Sequence, residues 1–210
     1  FKTPLSSILL ATEALNKQES VKENPKLQTY TSIIVNQSIK LNNHIEKILN
    51  VAKNDESGLL LKPKKIRLLP FIEEIAETLR QKSENLVINL EIEKNITITA
   101  DEFHFTNIVY NILDNSIKYC ESSPEIRIFS VKDTKGLYLK FKDNGIGIPE
   151  KNIPQIFDKF YRVISKKHNE INGFGLGLFY VKKVVRQHHW KILVENNKDQ
   201  GITTTLFIPM

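Results

Sequence analysis

Three groups of residues between positions 111 and 178 have the types and the order to grip a flat, charged ligand. Asn111, Asn115 and Lys118 recur at intervals of four and three, which places them on one face of a helix. Asparagine is a poor interior helix residue, so two in register point to amides in use. An amide oxygen can ligate Mg²⁺, and Lys118 can meet phosphate oxygens as a compact cation. The second group is Asp143-Asn-Gly145-Ile-Gly147-Ile148-Pro149. A carboxylate at a strand end can accept a hydrogen bond from an exocyclic amine, and the glycines let backbone approach a flat base. The third is Gly173-Phe-Gly175-Leu176-Gly177-Leu178, which runs into the apolar series Leu178, Val181, Val184 and Val185. A glycine loop that passes into a helix offers backbone amides to an anion.

Each group alone has a plainer explanation: a solvated helix face, an Asp-Asn-Gly turn, a glycine-rich cap. Their succession in one chain favours a nucleotide pocket. The glycines are not a dinucleotide fingerprint, which needs a preceding strand and a later ribose acid, and no Gly-Lys-Ser/Thr of a phosphate loop occurs. Between Pro149 and Gly173 lie Phe157, Phe160, Tyr161, Arg162 and the polar run Ser165 to Asn172. A loop of this length inside a compact domain reads as a lid. Its aromatic residues would pin it to the body, and Arg162 could reach a transferring phosphoryl group.

The elements that must carry these residues fall into two parts. Residues 1–54 contain no glycine and two prolines, Pro4 and Pro25, the latter after the polar break Lys22-Glu23-Asn24; this describes an all-α helical hairpin. In its second arm Leu27, Tyr30, Ile34, Gln37, Leu41, His44, Ile48 and Val51 follow one stripe, widened by Ile33 and Ile45. Two helices bury too little alone, so pairing of two copies into a dimeric four-helix bundle is expected, against packing on the rest of the same chain. A linker is placed at 55–59, at the end of the glycine-containing break Lys53 to Gly58. From 60 to 210 the pattern predicts strands at Leu59 to Leu69, Leu86 to Ile92, Ile126 to Val131, Leu137 to Phe141, 190–195 and 202–208. Helices are predicted from Pro70 to about Lys82, at 102–120 and at 176–188. With strands meeting sequence neighbours and helices on one face, this is an α+β sandwich.

Composition narrows the class. No run approaches a membrane span and no start resembles a signal peptide, so membrane attachment is expected only through segments outside this chain. The single cysteine, Cys120, cannot form an internal disulfide and reads as a small buried residue. Thirty Lys and Arg against 24 Asp and Glu give +6, but without a clustered stripe or stacking platform no direct nucleic-acid contact is expected. Phe1 in place of Met suggests a piece of something longer.

Together these features resemble the sensor histidine kinase family. Asn111 to Tyr119 is similar to its N box, Asp143 to Pro149 to its first glycine box, Ile156 to Arg162 to its F box and Gly173 to Leu178 to its second glycine box. Phe1-Lys-Thr-Pro-Leu5 is similar to the end of its H box, His-Glu-Phe-Lys-Thr-Pro-Leu. The resemblance implies a dimerisation and phosphotransfer hairpin over 1–54 and an ATP-binding domain of the Bergerat fold over 60–210. It implies that Asn115 holds Mg²⁺, assisted by Asn111, that Lys118 and Tyr119 contact phosphates and ribose, and that Asp143 reads the adenine amine. Gly145, Gly147, Gly173, Gly175 and Gly177 would shape the lid and its hinges, with Ile148, Phe157, Phe160, Tyr161, Arg162, Leu176 and Leu178 completing the nucleotide site. The implied reaction is ATP-dependent phosphorylation of a histidine, then transfer to an aspartate on the receiver domain of a response regulator that docks on the hairpin. The chain would be the cytoplasmic portion of a membrane-anchored bacterial sensor and would act as a homodimer.

Departures from the family pattern sharpen the expectations. The phosphoacceptor histidine falls two positions before Phe1 and its acidic neighbour one before, so the sequence as it stands is expected to lack the nucleophile; His44 reads as packing or solvated. Thr3, four places after that histidine, stands where the family orients water for phosphatase chemistry, or else caps a helix ahead of Pro4. Ser116 and Cys120 replace the usual Ala and Thr, and Asn172 a common Gly. Related ATP hydrolases place a glutamate four residues before the metal-binding asparagine, where this chain has Asn111, so slow hydrolysis is expected. The remaining alternative is a nucleotide-binding scaffold without chemistry, which the presence of Asn115, Asp143 and the three lid glycines argues against.

Overall fold

The computed structural model describes residues 2–35, 37–38, 60–83, 85–163 and 174–210. The chain divides into two compact units, Phe1–Gly58 and Leu59–Met210. The expected linker at 55–59 lies outside the described residues.

In the first unit α1 (Lys2–Asn16) and α2 (Glu19–Lys22) are followed by α3, helical over 25–35 and again at 37–38. Thr3 lies within α1. Besides the expected break at Lys22-Glu23-Asn24 there is an earlier one at Lys17-Gln18, whose N–H groups turn back to Ala14 O at 3.2 Å and Leu15 O at 3.0 Å. Residues 16–20 are all polar, so no apolar contact holds the helix through this point. The start of α3 is fixed locally: Asn24 Oδ1 accepts from the N–H groups of Lys26 (3.1 Å) and Leu27 (3.4 Å), with Pro25 at the first helical position. Leu27, Tyr30, Ile33 and Ile34 of the stripe are exposed in the single chain. Leu41, His44, Ile45, Ile48 and Val51 lie outside the described residues.

The second unit runs β1 (Lys64–Arg67), α4 (Leu68–Arg80), β2 (Val87–Glu91), β3 (Thr97–Ala100), α5 (Glu102–Lys118), β4 (Glu125–Lys132), β5 (Gly136–Asp143), a 3₁₀ turn (Glu150–Gln155), α6 (Gly177–Gln187), β6 (Lys191–Asn196) and β7 (Ile202–Pro209). Five strands form one sheet in the order β2-β4-β5-β7-β6, with β2 parallel to β4 and the other pairs antiparallel; β1 and β3 make a separate antiparallel pair. The strand expected over Leu59 to Leu69 contracts to Lys64–Arg67, because Leu68 already opens α4. The sequence reading missed β3, whose four residues alternate too briefly to signal a strand. The pairing of β2 with β4, rather than with β1 or β3, also departs from neighbour pairing.

The helices cover one face of the sheet. Leu68, Ile72 and Ala76 of α4, Phe105, Ile108 and Val109 of α5 and Val181 and Val184 of α6 are fully buried with Ile126, Ile128, Leu139, Phe141 and Leu206 of the sheet. Phe105 stacks on Phe71 at 5.0 Å and takes the edge of Trp190 at 5.7 Å. The other face carries Arg127, with its guanidinium 4.9 Å over Phe129 and paired to Glu91.

A polar junction fixes α5 against α6. Asp101 caps α5 through Oδ1 to the His104 N–H (3.0 Å), and its Oδ2 accepts the Lys62 N–H (2.8 Å). Burial pushes its carboxyl up, but these two N–H donors, together with the neighbouring His104 and His188 rings, hold the pKa below the ordinary value. The Asp101 N–H donates to His188 Nε2 at 3.0 Å, and His188 Nδ1 lies 2.9 Å from Val184 O. His188 therefore sits as the neutral Nδ1–H tautomer, and burial lowers its pKa. Tyr180, 2.6 Å from His104 Nδ1, has its hydroxyl pushed up to about 12 by burial.

Candidate functional site

At the end of β5, between α5 and the start of α6, lies a cavity of ≈ 320 Å³. Ile112, Ile146, Ile148, Ile156, Leu178 and Val194 make most of its wall apolar, and Thr204 on β7 lies beneath. This suits a flat ring with few polar contacts.

The polar contact at the closed end is Asp143, 6% exposed. Its Oδ1 accepts from the N–H groups of Gly145 and Ile202, each at 3.0 Å, and its Oδ2 from the Ser116 hydroxyl at 2.8 Å. A carboxylate has about four acceptor positions. Three are used, so one on Oδ2 remains for a donor in the cavity. The carboxylate is thereby held rigidly while keeping capacity for one N–H. Gly201 packs directly on this residue: at φ 82° a Cβ there would stand 2.6 Å from the Asp143 carbonyl carbon, so the backbone behind the carboxylate approaches as closely as only glycine permits.

The open end is built differently. Asn115 lines the cavity, and among the described residues its side-chain amide makes no hydrogen bond. Tyr161 and Arg162 complete this side. Asn152 donates to the Tyr161 hydroxyl, and its own Oδ1 is buried without a partner among the described residues. Phe160 holds φ 66°, unusual for an aromatic residue, and its N–H donates to Gly175 O at 3.1 Å. Gly175 also has positive φ, and a Cβ on it would stand 2.6 Å from the Phe160 carbonyl carbon. Lys182 on α6 lies 5.3 Å over the Phe157 ring, and Lys159 lies over Phe160 and Phe179. The base of the expected lid is thus fastened to α6.

The structure brings Asn115, Tyr119, Asp143, Gly145, Gly147, Ile148, Tyr161, Arg162, Gly175, Gly177 and Leu178 to one wall. It does not bring all the sequence candidates there. Lys118 turns along α5 to an ion pair with Asp114, one helical turn back. Asn111 Nδ2 donates to Asn107 O at 2.7 Å, leaving its Oδ1 beside Gly177. Phe157, Phe160 and Leu176 stand behind the wall as fasteners and as the cap of α6. Gly173 and the polar run 165–172 lie outside the described residues. Cys120 is half-buried, with Sγ 3.3 Å from Asn144 Oδ1, and is not a core residue. Thr204, Val194 and the turn around Gly201 give no local sequence signal and come to the Asp143 end only through the β5–β7 and β6–β7 pairings. Ser116 was noted only as a departure, although its spacing of four from Ile112 on α5 already placed it on the inner side.

Comparison with known proteins bears on the family and the fold. Residues 100–210 match the family model described as histidine kinase-, DNA gyrase B- and HSP90-like ATPase, and residues 1–57 match the His Kinase A (phospho-acceptor) domain. The chain is 34% identical over its whole length to sensor protein RprX of Bacteroides fragilis, of which it covers 41%. It is 27% identical over 99% of its length to sensor protein SrrB of Staphylococcus aureus, covering 36% of that protein. The chain thus spans about two fifths of the length of these relatives. Among solved structures, full-length ShkA in complex with AMPPNP superposes with a TM-score of 0.83 at 19% identity, over 99% of this chain and 44% of that one.

Proposed function

The chain belongs to the sensor histidine kinases, as a catalytic core of that family, and on that premise we propose that it binds Mg-ATP in the cavity at Asp143 and directs the γ-phosphoryl group to a histidine. The observation that carries the reading is the Asp143 carboxylate, buried, held by three donors and left with one acceptor position. That position suits the exocyclic amine of adenine. A guanine would present a carbonyl oxygen in its place and leave two acceptors opposed. The ATP analogue bound by ShkA, a protein of the same fold, is consistent with this ligand class.

Asn115 offers an amide oxygen with no competing partner among the described residues, which fits a Mg²⁺ ligand, with Asn111 in support beside Gly177. When bound, the ion neutralises phosphate oxygens. Tyr119 lies along the ribose side, and Arg162 at the open end offsets charge on the group in transfer. The amides at the start of α6, reached through Gly175 and Gly177, face the phosphates. Lys118 reaches phosphate only by leaving Asp114, an exchange between partners of like charge on an exposed face where ion pairs are weak.

The receiving histidine is the one the H box places two positions before Phe1, and Thr3 is the residue that would orient water against the acyl phosphate on a partner protein, a phosphatase role. The exposed stripe of Leu27, Tyr30, Ile33 and Ile34 suits pairing with a second copy and docking of a response regulator receiver domain. Hydrolysis by a related ATPase route is disfavoured, because position 111 carries an amide that donates to Asn107 O where those enzymes need a carboxylate.

The test is to follow γ-labelled phosphate from ATP in a chain extended by His-Glu before Phe1. Acid-labile, base-stable label on that histidine is expected. ATP bound without label on histidine would overturn the kinase reading.

A further inference from the structure

We propose that Asn196, the last residue of β6, is a positioning residue for the base side of the nucleotide cavity; the inference rests on the nucleotide reading above. Its Oδ1 accepts the Ile148 N–H at 2.8 Å and its Nδ2 donates to the Ile148 carbonyl at 2.7 Å. One side-chain amide thus satisfies both backbone groups of one loop residue, as a facing residue does in an antiparallel ladder. The two partners also fix which end of the amide is oxygen, since an N–H requires an acceptor and a carbonyl a donor.

The loop it holds is the stretch after Asp143, which belongs to no sheet. It is tied earlier as well, at Asn144, whose side chain accepts the Glu125 N–H at 2.9 Å and donates to Ser123 O at 3.0 Å, and at the next two residues. The Gly145 N–H returns to Asp143 Oδ1, and the Ile146 N–H donates to Tyr119 O at 2.9 Å. Beyond Ile146 the chain turns through Gly147 at φ 74°, and a Cβ there would lie 3.2 Å from Asn196 Oδ1. Ile146, Gly147 and Ile148 all line the cavity. Without the amide, the last tie on the loop would be at Ile146, and the wall formed by Ile148 would lose its register.

Asn197 completes the arrangement. Its Nδ2 donates to Asp143 O and Gln200 O, each at 2.8 Å, and its Oδ1 accepts from the Thr203 hydroxyl at 2.6 Å. The β6–β7 turn is therefore bonded to the backbone of the base-reading carboxylate through one asparagine and to the loop across the cavity through the next. Asn196 itself does not line the cavity. It keeps the slot for a flat ring open before the ring arrives, which reduces the ordering that binding must supply.

The experiment measures dissociation constants of adenosine, Mg-ATP and Mg-tripolyphosphate for the wild type, Asn196→Ala and Asn196→Asp. Loss of two hydrogen bonds to the loop should weaken adenosine and Mg-ATP by about tenfold in Asn196→Ala. Mg-tripolyphosphate, which has no base, should bind as to the wild type. Asn196→Asp keeps the acceptor for the Ile148 N–H but sets an oxygen against the Ile148 carbonyl, so it should be no better than Ala. Thermal melts verify that both variants are folded, as the exposed position of Asn196 leads one to expect. Wild-type affinity for adenosine in Asn196→Ala, or equal losses for adenosine and tripolyphosphate, would overturn the positioning role. Absence of adenosine and Mg-ATP binding in the wild type itself would overturn the nucleotide reading and this inference with it.

Discussion

The two ends of the cavity are built to opposite plans. At the end proposed for the base, one carboxylate collects three donors, a glycine presses on its backbone, and two consecutive asparagines bond the surrounding loops. At the end proposed for the phosphates, the Asn115 side-chain amide has no hydrogen bond among the described residues, the buried Asn152 Oδ1 has no partner among them, and Phe160 and Gly175 hold left-handed backbone against one another. Rigid recognition of a ring needs fixed donors and acceptors. A phosphoryl group that must leave needs contacts that can be remade. The difference predicts that substitutions at one end weaken every adenine ligand, and at the other only ligands that carry phosphate.

The largest effect is expected at Asp143. Asp143→Asn replaces the ionic acceptor with an amide whose NH₂ faces donors, and a hydrogen bond to a charged group contributes roughly 1.5–3 kcal/mol. Affinity for adenosine and for Mg-ATP should therefore fall together, by about a hundredfold. The melting temperature should also drop, since three donors lose their acceptor; an unchanged melt would show that the carboxylate is not the anchor of the base end. Next comes Asn115→Ala. It should lower Mg-ATP affinity by at least about tenfold, the scale on which metal sites respond to lost support, and leave the melting temperature nearly unchanged, since among the described residues the amide makes no bond to be broken. A large fall in stability would place Asn115 among the structural residues instead.

The smallest effect lies outside the cavity, at the junction of α5 and α6. The neutral His188 ring is the form that fits, because Nε2 accepts the Asp101 N–H. Its pKa is lowered by burial from the ordinary 6.5, so the unfolded chain takes up the proton first as pH falls. The stability is full above pH 6.5 and declines below it, toward the lowered native pKa. A shift of a few degrees in the melt between pH 7.5 and pH 5.5 is expected. His188→Gln, which keeps an acceptor but does not titrate, should flatten the profile in that window. A profile identical to the wild type would remove His188 as the cause.

Much of the site was legible because its residues act through local pattern. The spacing of Asn111 and Asn115 is helical, Asp143 ends an alternating strand, and the glycines precede an amphipathic run. Even so, periodicity assigns a face and not a direction along it. Lys118 shares the stripe of Asn115 yet points to Asp114, because a carboxylate four residues away on the same helix is its nearest partner. What the sequence withheld depends on tertiary pairing. Ile202 and Thr204 reach Asp143 through the antiparallel register of β5 with β7, and Asn196 reaches Ile148 across 48 residues of chain. The pairing of β2 with β4 depends on a crossover through α5, which no short-range signal encodes.

The most direct measurement is calorimetric titration of adenosine and of Mg-ATP into the wild type, Asp143→Asn and Asn115→Ala. The cavity as described predicts equal proportional losses for both ligands in Asp143→Asn, and in Asn115→Ala a loss for Mg-ATP alone. Adenosine binding that survives Asp143→Asn, or falls in Asn115→Ala as far as Mg-ATP does, would contradict the division of the cavity into a fixed base end and an adaptable phosphate end.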